Sequence, residues 1–151
     1  MKILLITGDH PRHKFLVREI ANLGIELAWV IEQRENFVPI PPPSLDNAIL
    51  NMYTHHFLER ERVENLYFGQ ASNFDSTPKS PPILTVDREG LNSRVVYDYV
   101  LSFKPDLVLS YGCHMLGPGI LGIPETAKWN IHGGLSPYYR CLLYTSDAAD
   151  E

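Results

Sequence analysis

The sequence predicts an α/β fold, a parallel sheet with helices on its faces. Three observations carry that prediction. Short apolar runs of strand length recur along the chain. Segments with apolar residues at helical spacing separate them, and parallel neighbours need such crossovers. The composition, 44% apolar and 21% charged over 151 residues, is that of one ordinary globular domain. A chain of this size buries roughly 70% of its unfolded surface, enough for a core without staples. Disordered, collagen-like and coiled-coil chains are excluded.

The elements follow in order. Ile3–Thr7 reads as a buried strand ended by Gly8. Asp9 is placed to cap a helix, and Pro11 fits its first turn, where a missing N–H loses no partner. Phe15, Leu16, Ile20 and Leu23 carry that helix to a stop at Gly24. Ile25–Ile31 is a second strand, and the proline-rich stretch 36–44 is a loop. Leu50, Tyr53, Phe57, Arg60, Glu64 and Phe68 mark a helix over about 45–68. The run from Glu59 to Glu64, with Arg60 and Arg62, reads as a solvated, ion-paired face, or as a lining of the acceptor site supplied by the long polar insert from Pro39 to Pro82; the sequence does not choose between them. Glu64–Gln70 resembles an engineered protease site with its last two residues exchanged. It continues the helical pattern and is read as native. Residues 71–82 are loop, and Ile83–Val86 is a third strand. Leu91–Phe103 is a third helix with Val95, Val96, Tyr99, Val100 and Phe103 on one side, stopped by Pro105. Asp106–Tyr111 is a fourth strand, Gly117–Leu121 a short turn or helix, and Trp129–His132 a fifth strand.

Charge and composition narrow the partners. The net charge is −5 and no basic block exists, so no nucleic-acid backbone is expected as a partner. The aliphatic run Ile3–Ile6 is far shorter than the ~20 residues of a membrane span, and too short for a signal-peptide core. A cytoplasmic protein without a membrane partner is expected. Cys113 and Cys141 make no disulfide framework.

The last eleven residues, Cys141–Glu151, read differently from the rest. Codons can be written for them that spell a transposon adapter used in sequencing libraries, and they are taken as a non-native tail. Without Asp147, Asp150 and Glu151, the eighteen acidic residues become fifteen against thirteen basic ones, a net charge of −2. Residues 1–140 are then a partial domain, incomplete at its C-terminus.

Ligands of parallel α/β sheets bind beyond the carboxyl ends of the strands. Here those exits are Gly8–His13, Val86–Arg88, Tyr111–Leu116 and Asn130–Arg140. In the last, Asn130 and His132 stand at i and i+2 and leave the same face of a strand. An amide donor beside an imidazole can clamp an oxyanion, and the imidazole can move a proton. A strand end whose Asn and His merely cap a loop is the alternative. Gly133 and Gly134 allow close backbone approach to a ligand. At Gly8–His13 a helix start and Arg12 could hold an anionic group, making Arg12 and His13 candidate substrate-binding residues, although Asp9 opposes an anion. Cys113 and His114 lack further metal ligands at usual spacings, so no metal is expected. His55 and His56, adjacent on a helix, diverge and make a poor metal pair.

The string from Asn130 to Arg140 resembles the Asn-x-His-x-Ser-Leu-Leu-Pro signature of folate-dependent formyltransferases. Asn130, His132, Leu135 and Pro137 match. Gly134 stands in place of the serine and Ser136 in place of the second leucine. The continuation Tyr138–Arg140 is also similar. The four strands before the motif resemble those of the family's Rossmann-like half, over residues 1 to about 140. The resemblance implies transfer of a formyl group from the co-substrate 10-formyltetrahydrofolate to a small-molecule or nucleotide-linked amine, with no metal. Asn130 would donate to the oxyanion, and a protonated His132 would stabilise it. Cys113, His114, Met115 and Leu116 would receive the pterin ring, read by loop backbone groups and walled by Met115 and Leu116. The family also requires an aspartate a few dozen residues after the histidine. Asp147 is too close, so no catalytic aspartate is assigned and residues 1–151 are expected to be inactive. A formyltetrahydrofolate hydrolase and a non-catalytic folate- or nucleotide-binding module are the alternatives. A dinucleotide-binding protein is disfavoured, because no GxGxxG follows the first strand.

Overall fold

The structure is a computed structural model and describes residues 1–33, 39–72 and 80–132. The motif residues Gly133, Gly134, Leu135, Ser136 and Pro137, the continuation Tyr138–Arg140 and the tail Cys141–Glu151 lie outside the described residues.

The chain runs β1 (Lys2–Gly8), α1 (Pro11–Asn22), β2 (Glu26–Glu32), α2 (Asn47–Phe68), β3 (Ile83–Val86), α3 (Arg94–Phe103), β4 (Leu107–Tyr111), α4 (Pro118–Leu121) and β5 (Ala127–Ile131), with a 3₁₀ turn at Gly69–Ser72 after α2. The five strands form one sheet in the order β3-β2-β1-β4-β5, and every pair is parallel. This is a Rossmann-like α/β arrangement. Because the order reverses between β1 and β4, the chain leaves these two neighbouring strands in opposite directions. Ligands of open α/β sheets bind at such a reversal point.

Residue alternation along the central strands fills both sides of the sheet. Leu4, Ile6, Ala28, Val30 and Val108 face α3 and α4, packing on Leu91, Val96, Val100, Ile120 and Ile123. Ile3, Leu5, Leu27 and Trp29 face α1 through Val17 and Ala21. Burying each such large side chain contributes about 1.5–3 kcal/mol. The Trp29 indole N–H, buried with its ring, donates to Thr7 Oγ1 at 2.9 Å, so no donor is stranded.

Several boundaries shift from those read in the sequence. The N-cap of α1 is His10, not Asp9, and makes no side-chain cap bond; Pro11 takes the first helical position as expected. Helix α3 starts at Arg94, because Asp87 Oδ1 accepts the Gly90 N–H and turns the preceding residues. Val95 consequently points to solvent, 61% exposed, while Val96 and Val100 are fully buried. No helix among the described residues is long and apolar enough to cross a membrane.

Candidate active site

Two glycines shape the exits of β1 and β4. A Cβ on Gly8, the last residue of β1, would lie 2.8 Å from the Gly112 carbonyl oxygen. Gly112, just past β4, has φ +62°, and a Cβ there would meet His13 Nε2 at 2.4 Å. The two strand exits thus close directly on the His13 ring, and only glycine leaves room for it. His13 is fully buried and stacks edge-on against Tyr111, with ring centroids 4.7 Å apart. The sequence places His13 among the substrate-binding residues; in the fold it is part of the wall beneath the surface.

The loop that leaves β4 folds back over the end of β1. Its anchor is Glu32, the last residue of β2 and the register partner of Gly8. Glu32 is fully buried. It accepts the His114 backbone N–H at 2.9 Å on Oε2 and contacts His114 Nδ1 with Oε1. Further along, Asn92 clamps the loop from the other side. Its amide donates to the Met115 carbonyl at 3.0 Å, and its oxygen accepts the Gly117 N–H at 2.6 Å. Between these anchors Cys113 and Leu116 pack on the core under α3, and Met115 stands 80% exposed. Of the two apolar residues expected to wall a ring, Met115 is therefore the one offered to solvent.

Asn130 lies on β5 opposite Ser110 of β4. The Ser110 hydroxyl donates to Asn130 Oδ1 at 3.0 Å, so the amide N–H₂ turns away from Ser110. That is the orientation a hydrogen-bond donor to a ligand oxygen needs. His132 follows the strand end and is exposed. β5 is an edge strand of the described sheet, and both candidate catalytic residues lie at its exit.

A second polar cluster joins α1 to α2. Glu64 accepts the Arg12 N–H at 3.3 Å and pairs with Arg12 Nη1 at 2.5 Å; His10 Nδ1 is 3.8 Å away. The Glu64 side chain is 8% exposed, so the solvated face expected around Glu59–Glu64 holds for the Glu59–Arg62 pair but not for Glu64. There the Arg62 hydrogen bond holds the exposed Glu59 carboxyl below its usual range. The pairing also changes the expectation for Arg12, since its guanidinium already meets a carboxylate. Beside it a cleft of about 220 Å³ lies between α1 and α2, lined by Asp9, His10, Lys14, Arg60 and Asn65 among others. His55 and His56 are exposed on α2. Among the described residues, no three His, Cys, Asp or Glu side chains gather in a metal-binding group.

The fold thus brings the Gly8–His13, Tyr111–Leu116 and Asn130–His132 exits to one end of the sheet. It sets Arg12 apart, in the α1–α2 contact. Sequence reasoning missed Glu32, Asn92 and Ser110, and it placed Glu64 in the charged run of α2 without its partner Arg12. Each is an ordinary polar residue whose partner lies 20 to 82 positions away.

Fold and site together define a parallel α/β protein with polar residues at its strand exits. No family model matches the chain. Over 93 residues, 61% of its length, it is 29% identical to the bifunctional polymyxin resistance protein ArnA of Wigglesworthia glossinidia brevipalpis. That stretch spans 14% of the length of ArnA.

Proposed function

We propose that this protein transfers a formyl group from 10-formyltetrahydrofolate to an amine, with Asn130 and His132 acting on the formyl carbonyl. The observation that carries the reading is the Asn130-x-His132 pair at the exit of β5, with the Asn130 amide turned by Ser110 into a donor orientation. Attack of the amine on the formyl carbon gives a tetrahedral intermediate. Its oxyanion would accept from Asn130 Nδ2–H and from a protonated His132; the attacking nitrogen loses a proton to water, and as the bond from the formyl carbon to N10 of the folate breaks, His132 would pass its proton to N10. The similarity to ArnA is in keeping with a formyltransferase-type enzyme. The folate ring would lie on the Cys113–Leu116 loop, against Met115.

The test starts at the source DNA. It is re-read past the Arg140 codon, and the chain it encodes is assayed for consumption of 10-formyltetrahydrofolate with and without amines. Amine-dependent consumption, slowed at least about a hundredfold in Asn130→Ala, supports formyl transfer. Formate release without an amine identifies a hydrolase, and donor binding without turnover identifies a binding module.

A further inference from the structure

The capping role that residue type predicts for Asp9 falls to His10, which opens α1. The N–H groups of the first turn are engaged elsewhere. Pro11 has none, Glu64 accepts the Arg12 N–H, and the His10 carbonyl accepts that of His13. Asp9 is left with Oδ1 buried and without a hydrogen-bond partner among the described residues. A carboxylate can only accept, and a buried acceptor without a donor loses its hydration for nothing in return. Asp9 also lines the cleft of about 220 Å³ between α1 and α2. Its carboxyl turns on a soft, twofold torsion, so either oxygen can face a ligand there. The same walls carry two cations, Lys14 and Arg60, and a second carboxylate, Glu61. A ligand with an ammonium group alone would meet both cations, and an anion alone would meet both carboxylates. A molecule carrying one of each finds a partner for both. A cavity of about 150 Å³ admits benzene, so this cleft takes a chain of a few carbons between the two groups.

We propose that the α1–α2 cleft binds a small zwitterion, its ammonium group donating to Asp9 and its anionic group pairing with Lys14. The site uses neither Asn130 nor His132 nor the loop after β4, so it does not depend on the formyl-donor reading.

Amide NMR titration of the full chain with glycine, β-alanine and γ-aminobutyrate tests this, the three probes offering the same two charges at different spacings. For each probe, the acid without the amine and the amine without the acid are the controls. At least one zwitterion should shift the amide signals of Asp9, Lys14 and Asn65 and bind about tenfold tighter than both of its controls, the worth of one charge-assisted hydrogen bond. Asp9→Asn, of nearly the same shape, should weaken that zwitterion about tenfold while the acid control binds no more weakly. Lys14→Met should also weaken it, while the amine control binds no more weakly. Should Asp9→Asn fail to fold by circular dichroism, Lys14→Met decides alone. The proposal is overturned if the shifts fall on other residues only, if no zwitterion binds more tightly than its controls, or if the substituted chains bind as the wild type does. The formyl-donor reading stands under each of these results.

Discussion

Glu64 and Arg12, 52 residues apart in sequence, are joined twice: Oε2 lies 2.5 Å from Nη1, and Oε1 accepts the Arg12 backbone N–H at 3.3 Å. One carboxylate therefore serves a guanidinium and a backbone donor in the first turn of α1, and locks α2 onto that end. Removing the nearly buried Glu64 carboxylate takes away the acceptor of both Arg12 donors. Glu64→Ala should therefore lower unfolding stability by about 3 kcal/mol in urea titrations. Arg12→Met combined with Glu64→Leu should be less destabilising than Glu64→Ala alone. Equal losses would mean that the pair is solvated.

Two glycines with similar backbone angles separate strain from space. Gly24 has φ +73° with nothing within 4 Å of a notional Cβ, whereas Gly112 has φ +62° with His13 Nε2 at 2.4 Å. Gly24→Ala should cost about 1 kcal/mol for the left-handed conformation. Gly112→Ala should cost at least about 1 kcal/mol more, because His13 or the loop must also move. Thermal melts of both variants measure the difference, and identical shifts would show that His13 does not fill the junction.

The Asn92 clamp should be visible in exchange kinetics. Asn92→Ala removes the acceptor of the Gly117 N–H and the donor to Met115 O, two exposed hydrogen bonds. Amide hydrogen exchange at Gly117 should speed up about tenfold, at a global cost near 1 kcal/mol. Protection unchanged at Gly117 would remove Asn92 from the description of the loop.

At alkaline pH, Tyr99 gives a signed expectation. Burial pushes its phenol above the usual value, and its hydroxyl donates to the Pro82 carbonyl at 2.9 Å. The unfolded chain releases this proton first. Its contribution is thus complete below the unfolded pKa, about 10, and is lost as pH rises toward the folded value. Denaturation midpoints followed from pH 9 to 11 should fall less steeply in Tyr99→Phe than in the wild type. Parallel curves would contradict the assignment.

The order of elements was legible because the strands are apolar runs, Gly8 and Gly112 close β1 and β4, Gly24 stops α1, and Pro11 marks a helix start. Asn130 and His132 were singled out because i, i+2 spacing on a strand predicts a shared face; Asn130 lies on β5 and His132 just past its end. What escaped is long-range polar pairing. Glu64 sits in the same charged run as Glu59, and nothing local distinguishes the buried carboxylate from the solvated one. The strand containing Glu32 was read as ending at Ile31, because a glutamate after an apolar run usually meets water. Its partner His114 is 82 residues on. Asp9 was the better capping residue by type, but Pro11 at the first helical position makes His10 the N-cap.

The central claim, that Asn130 and His132 hold a formyl oxygen, is tested most directly by binding. Titration calorimetry compares 10-formyl-5,8-dideazafolate with 5,8-dideazafolate, which differ only in the formyl group. Formyl handling by this pair predicts tighter binding of the formylated compound to the wild-type chain, and loss of that preference in both Asn130→Ala and His132→Ala. Equal binding of the two compounds to the wild-type chain, or a preference that survives both substitutions, would contradict it.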